Sequence, residues 1–218
     1  MTVSTGTQEP RAGRPRANPR RPGGPEPREQ VLDAAAALFA EHGYAGTSTR
    51  AIAERVGIRQ ASLYYHFAGK DEILLELLET SVRPSLVFVG PLLAHQDRPA
   101  ALYALAAIDV GTLLATAYNI GTLYLAHEVQ QPRFDTFRAH RTELQAAYAT
   151  LAGGDLPGAS CMQLVEMVIS LRRDGEPGPG LETWIARACV RVVGLDTAEV
   201  ERAVVAGERL LGKLAAEA

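Results

Sequence analysis

The sequence has few of the residues that build disulfide-rich, metal-binding or membrane-spanning proteins. It has only two cysteines in 218 residues, Cys161 and Cys189, and both fall in apolar helical patterns, as expected of reduced thiols in a cytoplasmic protein. No cysteine and histidine cluster has metal-ligand spacing, and no apolar run reaches the ~18 residues of a membrane span. The first residues include no apolar stretch, which argues against a secretory signal. We therefore expect no metal, no other cofactor and no membrane partner.

Aromatic residues are also scarce, at 6% of the chain, whereas apolar residues reach 47% and are mostly alanine, leucine and valine. Such a mixture favours helices over sheets. Apolar residues recur at helical spacing between breaks made by proline and glycine, and no run has the alternation of a strand. The sequence therefore predicts an all-α protein of nine or ten helices.

Basic charge is concentrated at the N-terminal end, although the formal net charge is −3. Residues 1–27 hold five arginines and two glutamates, whereas residues 81–218 hold 12 basic and 15 acidic side chains. Residues 1–26 also have almost no apolar side chains, which predicts a disordered basic arm. This arm is either an inert solubilising tail or a segment that follows the minor groove of DNA. Order is expected to begin near Pro27.

A helix-turn-helix is predicted at about residues 48–67, inside an N-terminal three-helix domain of residues 27–80. Two helices that cross near a right angle need a small residue at the crossing and a glycine in the turn, with apolar residues on both sides. Ala53, Gly57 and Leu63 meet these needs. Because any short helical hairpin satisfies part of this pattern, the pattern alone does not decide for DNA binding.

The residues around the hairpin resemble the TetR family of tetracycline-repressor-like regulators. The similar segments are ALFAEHGY at 37–44, TSTRAIAERVGI at 47–58, SLYYHF at 62–67, and Lys70. The resemblance covers about residues 28–78. It implies that the third helix enters the major groove of double-stranded DNA while the second crosses the backbone.

The resemblance and side-chain chemistry together give a set of candidate DNA contacts. Hydroxyl groups near the start of the second helix, with one arginine beside them, are expected to approach phosphates. The first residues of the third helix are expected to read base edges, Arg59 pairing with guanine and Gln60 with adenine. The remaining aromatic and basic side chains are expected to reach phosphates or a thymine methyl group. The full set is Thr47, Ser48, Thr49, Arg50, Arg59, Gln60, Ala61, Ser62, Tyr64, Tyr65, His66 and Lys70.

Several of these residues also have structural interpretations. Tyr64 is a candidate core residue, His66 a candidate helix cap, and Thr47 a candidate N-cap that can also meet a phosphate. The family usually has serine or threonine where Arg59 stands, and often lysine or glycine at the next two positions. We therefore expect an altered helix cap at Arg59, and no operator sequence can be transferred.

The C-terminal part, residues 81–218, is predicted to be a helical ligand-binding and dimerisation domain. A single helix-turn-helix buries little surface on DNA, so such proteins usually bind palindromic operators as dimers. In TetR-like proteins the last two long helices form an intersubunit four-helix bundle. The apolar faces that would form this homodimer interface here contain Leu164, Val168, Leu171, Trp184, Ile185, Ala188 and Val192.

A pocket for a small-molecule effector is predicted within residues 99–152, where apolar helices carry a few polar and aromatic side chains. A ligand site needs mostly apolar walls with a few polar anchors, and Asn119 is the strongest anchor candidate because a buried amide needs partners. The candidate lining is Tyr103, Thr116, Tyr118, Asn119, Thr122, Tyr124, His127 and Phe137. Each of these is also a candidate for plain core or surface.

The leading hypothesis is a repressor that binds a palindromic operator as a dimer and is released by a small, largely apolar molecule. The first alternative is a DNA-binding regulator with no small-molecule ligand, which acts through a protein partner or constitutively. The second alternative is a helical enzyme with a fortuitous hairpin. The sequence has no Ser/His/Asp or Cys/His arrangement with supporting context and no phosphate-binding glycine loop, so we expect no enzyme.

Overall fold

The computed structural model describes residues 26–116, 118–124 and 126–217, and these residues form helices and turns but no strand. The α-helices are α1 Pro27–Gly46, α2 Thr49–Val56, α3 Gln60–His66, α4 Lys70–Glu79, α5 Arg83–Leu93, α6 Arg98–Ala115, α7 Asp135–Ala152, α8 Asp155–Asp174, α9 Leu181–Val192 and α10 Thr197–Glu217. Three short 3₁₀ turns lie between α6 and α7, at Ile120–Leu123, His127–Gln130 and Pro132–Phe134. The predicted all-α fold is confirmed. The predicted basic arm lies outside the described residues except for Glu26.

The first four helices pack around the apolar side of α1, which contacts both α2 and α4. The sequence predicts that α1 ends at Gly43. The backbone is indeed non-helical at Gly43, where φ is +71°, and helical geometry resumes after this kink as far as Gly46. A side chain would strain this backbone conformation, which explains the glycine. Gly57 ends α2 in the same left-handed region, with φ of +77°, and so sets the turn between α2 and α3.

Helix α6 is the centre of the second group of helices and packs against α5, α7, α8, α9 and α10. Its first turns are mainly alanines, and the residues from Ala100 to Ala106 are all buried. A Cβ atom at Gly207 of α10 would lie 2.5 Å from Cδ1 of Tyr103 and 3.0 Å from the Ala100 carbonyl oxygen, so the close approach of α10 to α6 depends on glycine. By length and composition α6 also qualifies as a membrane span, yet 56% of it is buried inside the protein.

The carboxyl side chain of Asp109 lies buried in this second core. Its carboxylate accepts hydrogen bonds from the Ser85 hydroxyl at 3.0 Å and the Tyr148 hydroxyl at 3.1 Å. No cation pairs with it among the described residues. Burial disfavours its charged form and raises the pKa of Asp109 to about 6, although the two hydrogen bonds act in the opposite direction.

Charged contacts join the two groups of helices at a seam. Arg133, in the last 3₁₀ turn, pairs with Asp71 of α4, which also accepts a hydrogen bond from the Tyr44 hydroxyl of α1. Nδ1 of His140 on α7 lies 2.8 Å from Oε2 of Glu79, at the end of α4. These contacts join α1 and α4 to α7 and to the turn before it.

Candidate DNA interface and adjoining clefts

The N-terminus of α2 is built by Ser48, whose side-chain oxygen accepts a hydrogen bond of 3.1 Å from the Ala51 amide. Ser48 is therefore the N-cap among the three hydroxyl residues at 47–49. The exposed Arg50 follows, but its guanidinium is paired with Glu54 one turn later at 2.9 Å. Helix α2 thus presents its capped end, with unsatisfied amide groups, beside a partly neutralised arginine.

Helix α3 presents an exposed face formed by Arg59, Gln60, Ala61, Ser62 and Tyr65. Tyr65 is 86% exposed, and Leu63 between these residues is fully buried and anchors the helix on the core. Arg59 occupies the N-cap position without a side-chain cap bond, in line with the altered cap expected from the sequence. Its guanidinium makes no ion pair with any described residue, so it is free to approach an anion or a base edge.

A short hydrogen-bond chain links α3 back to α2. Nε2 of Gln60 donates to Oγ1 of Thr49 at 2.9 Å, and Oγ1 of Thr49 lies 3.2 Å from the hydroxyl oxygen of Tyr64. Tyr64 is 50% exposed, so it stands at the edge of the face instead of in the core. His66 is partly buried. Its ring is nearly perpendicular to the Tyr65 ring, and the two ring centres are 5.2 Å apart.

Two candidate contacts, Thr47 and Lys70, are used inside the protein. Thr47 is 3% exposed, and its hydroxyl donates toward the carbonyl oxygens of Leu38 and Gly43. Nζ of Lys70 donates to the carbonyl oxygens of Tyr44 and Thr47, both at 2.7 Å, and lies 4.0 Å from the Tyr44 ring centre. Desolvation lowers the pKa of Lys70. Both residues therefore hold the turn before α2 in place, because their polar groups already have internal partners.

The candidate dimer-interface residues divide by exposure. On α9, Trp184 is 59% exposed and Val192 is exposed, and on α8 Leu171 is exposed. Leu164 and Ala188 are partly buried. Val168 and Ile185 have no exposed surface, because the phase of each helix turns them toward the protomer's own core. These two residues therefore support the apolar face from beneath and are removed from the candidate interface.

The candidate effector-pocket residues are spread over several environments. Tyr103 and Phe137 are packed in the core with 1% exposure each. The Tyr124 hydroxyl donates to the Ser81 hydroxyl at 2.7 Å, and Nδ2 of Asn119 donates to the Ile169 carbonyl at 2.6 Å. The amide that was expected to anchor a ligand therefore ties the turn after α6 to α8.

The other candidate pocket residues lie nearer the surface. Tyr118, Thr122 and His127 are exposed, and Tyr118 has a positive φ of 56°. Oγ1 of Thr116 accepts a hydrogen bond of 2.9 Å from Arg172, which also caps the end of α6 through the carbonyl oxygens of Leu113 and Thr116. The structure thus does not gather the eight candidate residues around one point.

Two clefts open at the seam between the two groups of helices. The first has a volume of about 720 Å³ and lies between α1, α4, α5 and α7; it is lined by Arg28, Glu72, Leu75, Glu76, Glu79, Thr80, Arg83, Pro84, Val87 and Thr136. The second, which we call the apolar seam cleft, has a volume of about 560 Å³ and lies between α1, α4, α5 and α6. It is lined by Glu29, Leu32, Asp33, Ala36, Leu77, Thr80, Pro84, Gly111, Thr112, Ala115 and Thr116. Thr116 is the one candidate pocket residue that lines a cleft described here.

Sequence reasoning missed the seam residues. Leu32, Leu77 and Pro84 are ordinary members of apolar or helix-start patterns, and only the tertiary fold brings them to one cleft. Glu79 is 5% exposed, and its Oε1 has no hydrogen-bond partner among the described residues. A glutamate at a helix end gives no signal of burial, so no sequence pattern marks this group.

Residues 31–77 match the family model described as bacterial regulatory proteins, tetR family. Over 51 residues the chain is 51% identical to the HTH-type transcriptional repressor KstR2 of Mycobacterium tuberculosis, a match that spans 23% of this chain and 26% of that repressor. The structure is similar to that of AmtR from Mycobacterium smegmatis, with a TM-score of 0.80 and 41% identity over 88% of this chain and 98% of that one. The solved structure of KstR2 itself has a TM-score of 0.65 at 21% identity and shares the fold.

Proposed function

Because this chain belongs to the TetR family of bacterial transcriptional regulators, we propose that it represses transcription by binding a palindromic operator as a homodimer in the cytoplasm. In this proposal residues 27–80 bind DNA and residues 81–218 dimerise and receive the effector. The observation that carries the proposal is the exposed face of α3, where Arg59, Gln60, Ser62 and Tyr65 project beside the capped end of α2.

The contacts fall into two classes. Ser48, Arg50 and the hydroxyl of Tyr64 lie at the start of α2 or at the edge of α3, and they approach phosphates. Thr49 does not contact a phosphate itself, because its hydroxyl group is engaged with Gln60 and Tyr64. Arg59 and Gln60, with Ala61, Ser62 and Tyr65, enter the major groove, where arginine has the geometry to bind guanine and a small side chain admits a thymine methyl group. His66 contacts the backbone only as an auxiliary, because it is partly buried.

Dimerisation sets the spacing of the two recognition helices. We assign this role to the exposed apolar side chains Trp184 and Val192 of α9 and Leu171 of α8, together with the partly buried Leu164 and Ala188. A dimer through this surface must place the two α3 helices roughly 34–36 Å apart, so that both enter the major groove on one side of the duplex.

This part of the proposal is tested by selection from a pool of randomised duplexes with the full chain. We expect enrichment of an inverted repeat, and we expect its affinity to fall steeply with salt because phosphate contacts release counterions. Failure to enrich any sequence, or binding with no sequence preference, would remove DNA-binding regulation as the function.

The apolar seam cleft supports release by a small, largely apolar molecule. Leu32, Ala36 and Leu77 on the DNA-binding side face Pro84 and Ala115 on the other side. A molecule seated there contacts both groups of helices, and it shifts the equilibrium between two arrangements only if it binds one of them better. A cleft at this seam suits such a ligand, because its lining residues come from both groups of helices.

Nile red, a neutral apolar dye, is a suitable probe of this cleft. We expect its fluorescence to rise on binding and the substitution Ala115→Trp, which fills the cleft, to weaken binding at least tenfold. Ala139→Trp places the same side chain at an exposed position of α7 and should leave binding unchanged.

The alternative of a regulator with no small-molecule ligand is favoured by one observation. The polar groups of Asn119 and Tyr124, which were the expected anchors, are already satisfied by Ile169 and Ser81. If the Ala115→Trp and Ala139→Trp variants bind Nile red with equal affinity, the apolar seam cleft is not the effector site. That result would favour a regulator with no small-molecule ligand.

A further inference from the structure

The hydrogen-bond chain from Gln60 through Thr49 to Tyr64 has a consequence for the base that Gln60 reads. We propose that Thr49 is a positioning residue that fixes the orientation of the Gln60 amide, so that Gln60 selects bases with an exocyclic amino group, adenine or cytosine, over guanine and thymine. This inference rests on the proposed DNA-binding function. It adds a base preference at the one position that Gln60 reads.

The donors and acceptors in these hydrogen bonds are set by the DNA phosphate that Tyr64 is proposed to contact. Tyr64 is half exposed at the edge of the DNA-binding face, and a phosphate oxygen accepts hydrogen bonds but cannot donate them. A Tyr64 hydroxyl that donates to phosphate is left to accept from the Thr49 hydroxyl, 3.2 Å away. The Thr49 oxygen then accepts from Gln60, which must turn its nitrogen toward Thr49, as it does at 2.9 Å.

The opposite end of the amide is therefore the part that leads toward the base. Nε2 of Gln60 faces Thr49 on α2, and the carbonyl oxygen lies on the other side of the planar amide group. In the major groove, adenine N6 and cytosine N4 are donors, whereas guanine O6 and thymine O4 are acceptors. An oxygen that leads meets a donor favourably on adenine or cytosine and meets a second acceptor on guanine or thymine. Adenine gains a further bond if the second N–H of Gln60 reaches N7.

Without Thr49 this discrimination should weaken. A glutamine amide with no partner rotates by a half turn and offers either its oxygen or its nitrogen to the base, so it accepts both classes of base. Loss of one hydrogen bond of ordinary strength corresponds to a change in preference of about fivefold. Thr49→Val keeps the shape of the side chain and removes the hydroxyl, while Thr49→Ser keeps the hydroxyl.

The experiment is selection from randomised duplexes with the full chain and its variants. Comparison of the wild-type chain with Gln60→Ala identifies the base pair that Gln60 reads. At that pair we expect Thr49→Val to lower the ratio of amino bases to keto bases about fivefold, and Thr49→Ser to retain it. Tyr64→Phe should also lower the ratio, because residue 64 then has no hydroxyl to donate to the phosphate and to accept from Thr49. Thr142→Val, the same change at an exposed position of α7, should change nothing.

The outcomes separate this inference from the function on which it rests. Failure of the wild-type chain to enrich any sequence overturns both. Enrichment with a ratio that Thr49→Val leaves unchanged overturns the inference alone, as does a Gln60→Ala profile identical to that of the wild-type chain. A Tyr64→Phe profile with the full wild-type ratio overturns the coupling to phosphate. A merely structural role of Thr49 would weaken binding to all sequences equally and would leave the ratio intact.

Discussion

The buried carboxyl group of Asp109 should make the stability of this protein fall as the pH rises through the range from about 4 to 6. Its pKa is raised from 3.8 to about 6 in the folded protein, mainly by burial. The folded state therefore binds the proton more tightly than the unfolded chain, and deprotonation is more costly in the folded core. Stability from this group is highest below pH 4 and is lost as the pH passes the folded-state pKa.

The magnitude follows from the two pKa values. Between pH 5 and pH 7.5 the folded protein releases this proton, while the unfolded chain has already lost it. With a pKa of about 6 in the folded state and 3.8 in the unfolded state, this group alone lowers the free energy of unfolding by about 1.4 kcal/mol over that interval. Asp109→Asn keeps the shape of the side chain and has no proton to release.

Urea unfolding at the two pH values, at one fixed protein concentration, measures this difference. The other titrating groups contribute equally to both proteins and cancel when the pH-induced change in Asp109→Asn is subtracted from that in the wild-type chain. We expect the wild-type protein to lose about 1.4 kcal/mol more than the variant. Equal losses in the two proteins, or a greater loss in Asp109→Asn, would refute the raised pKa of Asp109 in the folded protein.

Three further predictions concern packing, capping and assembly. A Cβ at Gly158 would lie 2.4 Å from the Ala149 amide nitrogen of α7, so Gly158→Ala should lower the free energy of unfolding by about 2–3 kcal/mol. Gly212→Ala is the control, because nothing lies within 4 Å of a Cβ there, and it should not destabilise. Equal melting temperatures of the Gly158→Ala and Gly212→Ala variants would contradict this packing. Ser48→Ala removes the α2 cap and should destabilise by about 1 kcal/mol in chemical denaturation, an expectation that an unshifted midpoint would exclude. Trp184→Glu places a charge in the proposed dimer surface and should yield monomers in light scattering, whereas a persistent dimer would move the interface elsewhere.

The helices and the exposed face of α3 were predictable because they depend on local spacing. Leu63 is the apolar residue of α3 that faces the core, and Gly57 forms the turn before this helix. Residues 60–62, which precede Leu63, therefore lie on the exposed side of the helix. The prolines and glycines that separate the later helices also affect only the backbone near them. The sequence therefore sufficed to predict an all-α fold. The break at Gly43 was predicted in the same way, whereas the helical turn that follows it, up to Gly46, was not.

The internal roles of Thr47 and Lys70 could not be predicted from the sequence. Each residue type suits a phosphate contact, and only the fold shows that Lys70 reaches back across 26 residues to the Tyr44 carbonyl. The same limit applies to the pocket candidates. Helical periodicity placed Tyr103 and Asn119 on apolar helices but gave no information about which neighbour satisfies them. The apolar seam cleft lies where residues of α1, α4, α5 and α6 come together, an arrangement that no local pattern encodes.

The most direct test of DNA binding through α3 is the affinity of the enriched duplex for a double variant, Arg59→Ala with Tyr65→Ala, measured by fluorescence anisotropy. Both side chains are exposed and neither makes a hydrogen bond or ion pair with the described residues, so the fold should persist. Loss of a base contact and a neighbouring contact should weaken binding by about a hundredfold, while Arg209→Ala on α10 should leave it unchanged. Wild-type affinity in the double variant would contradict recognition through α3.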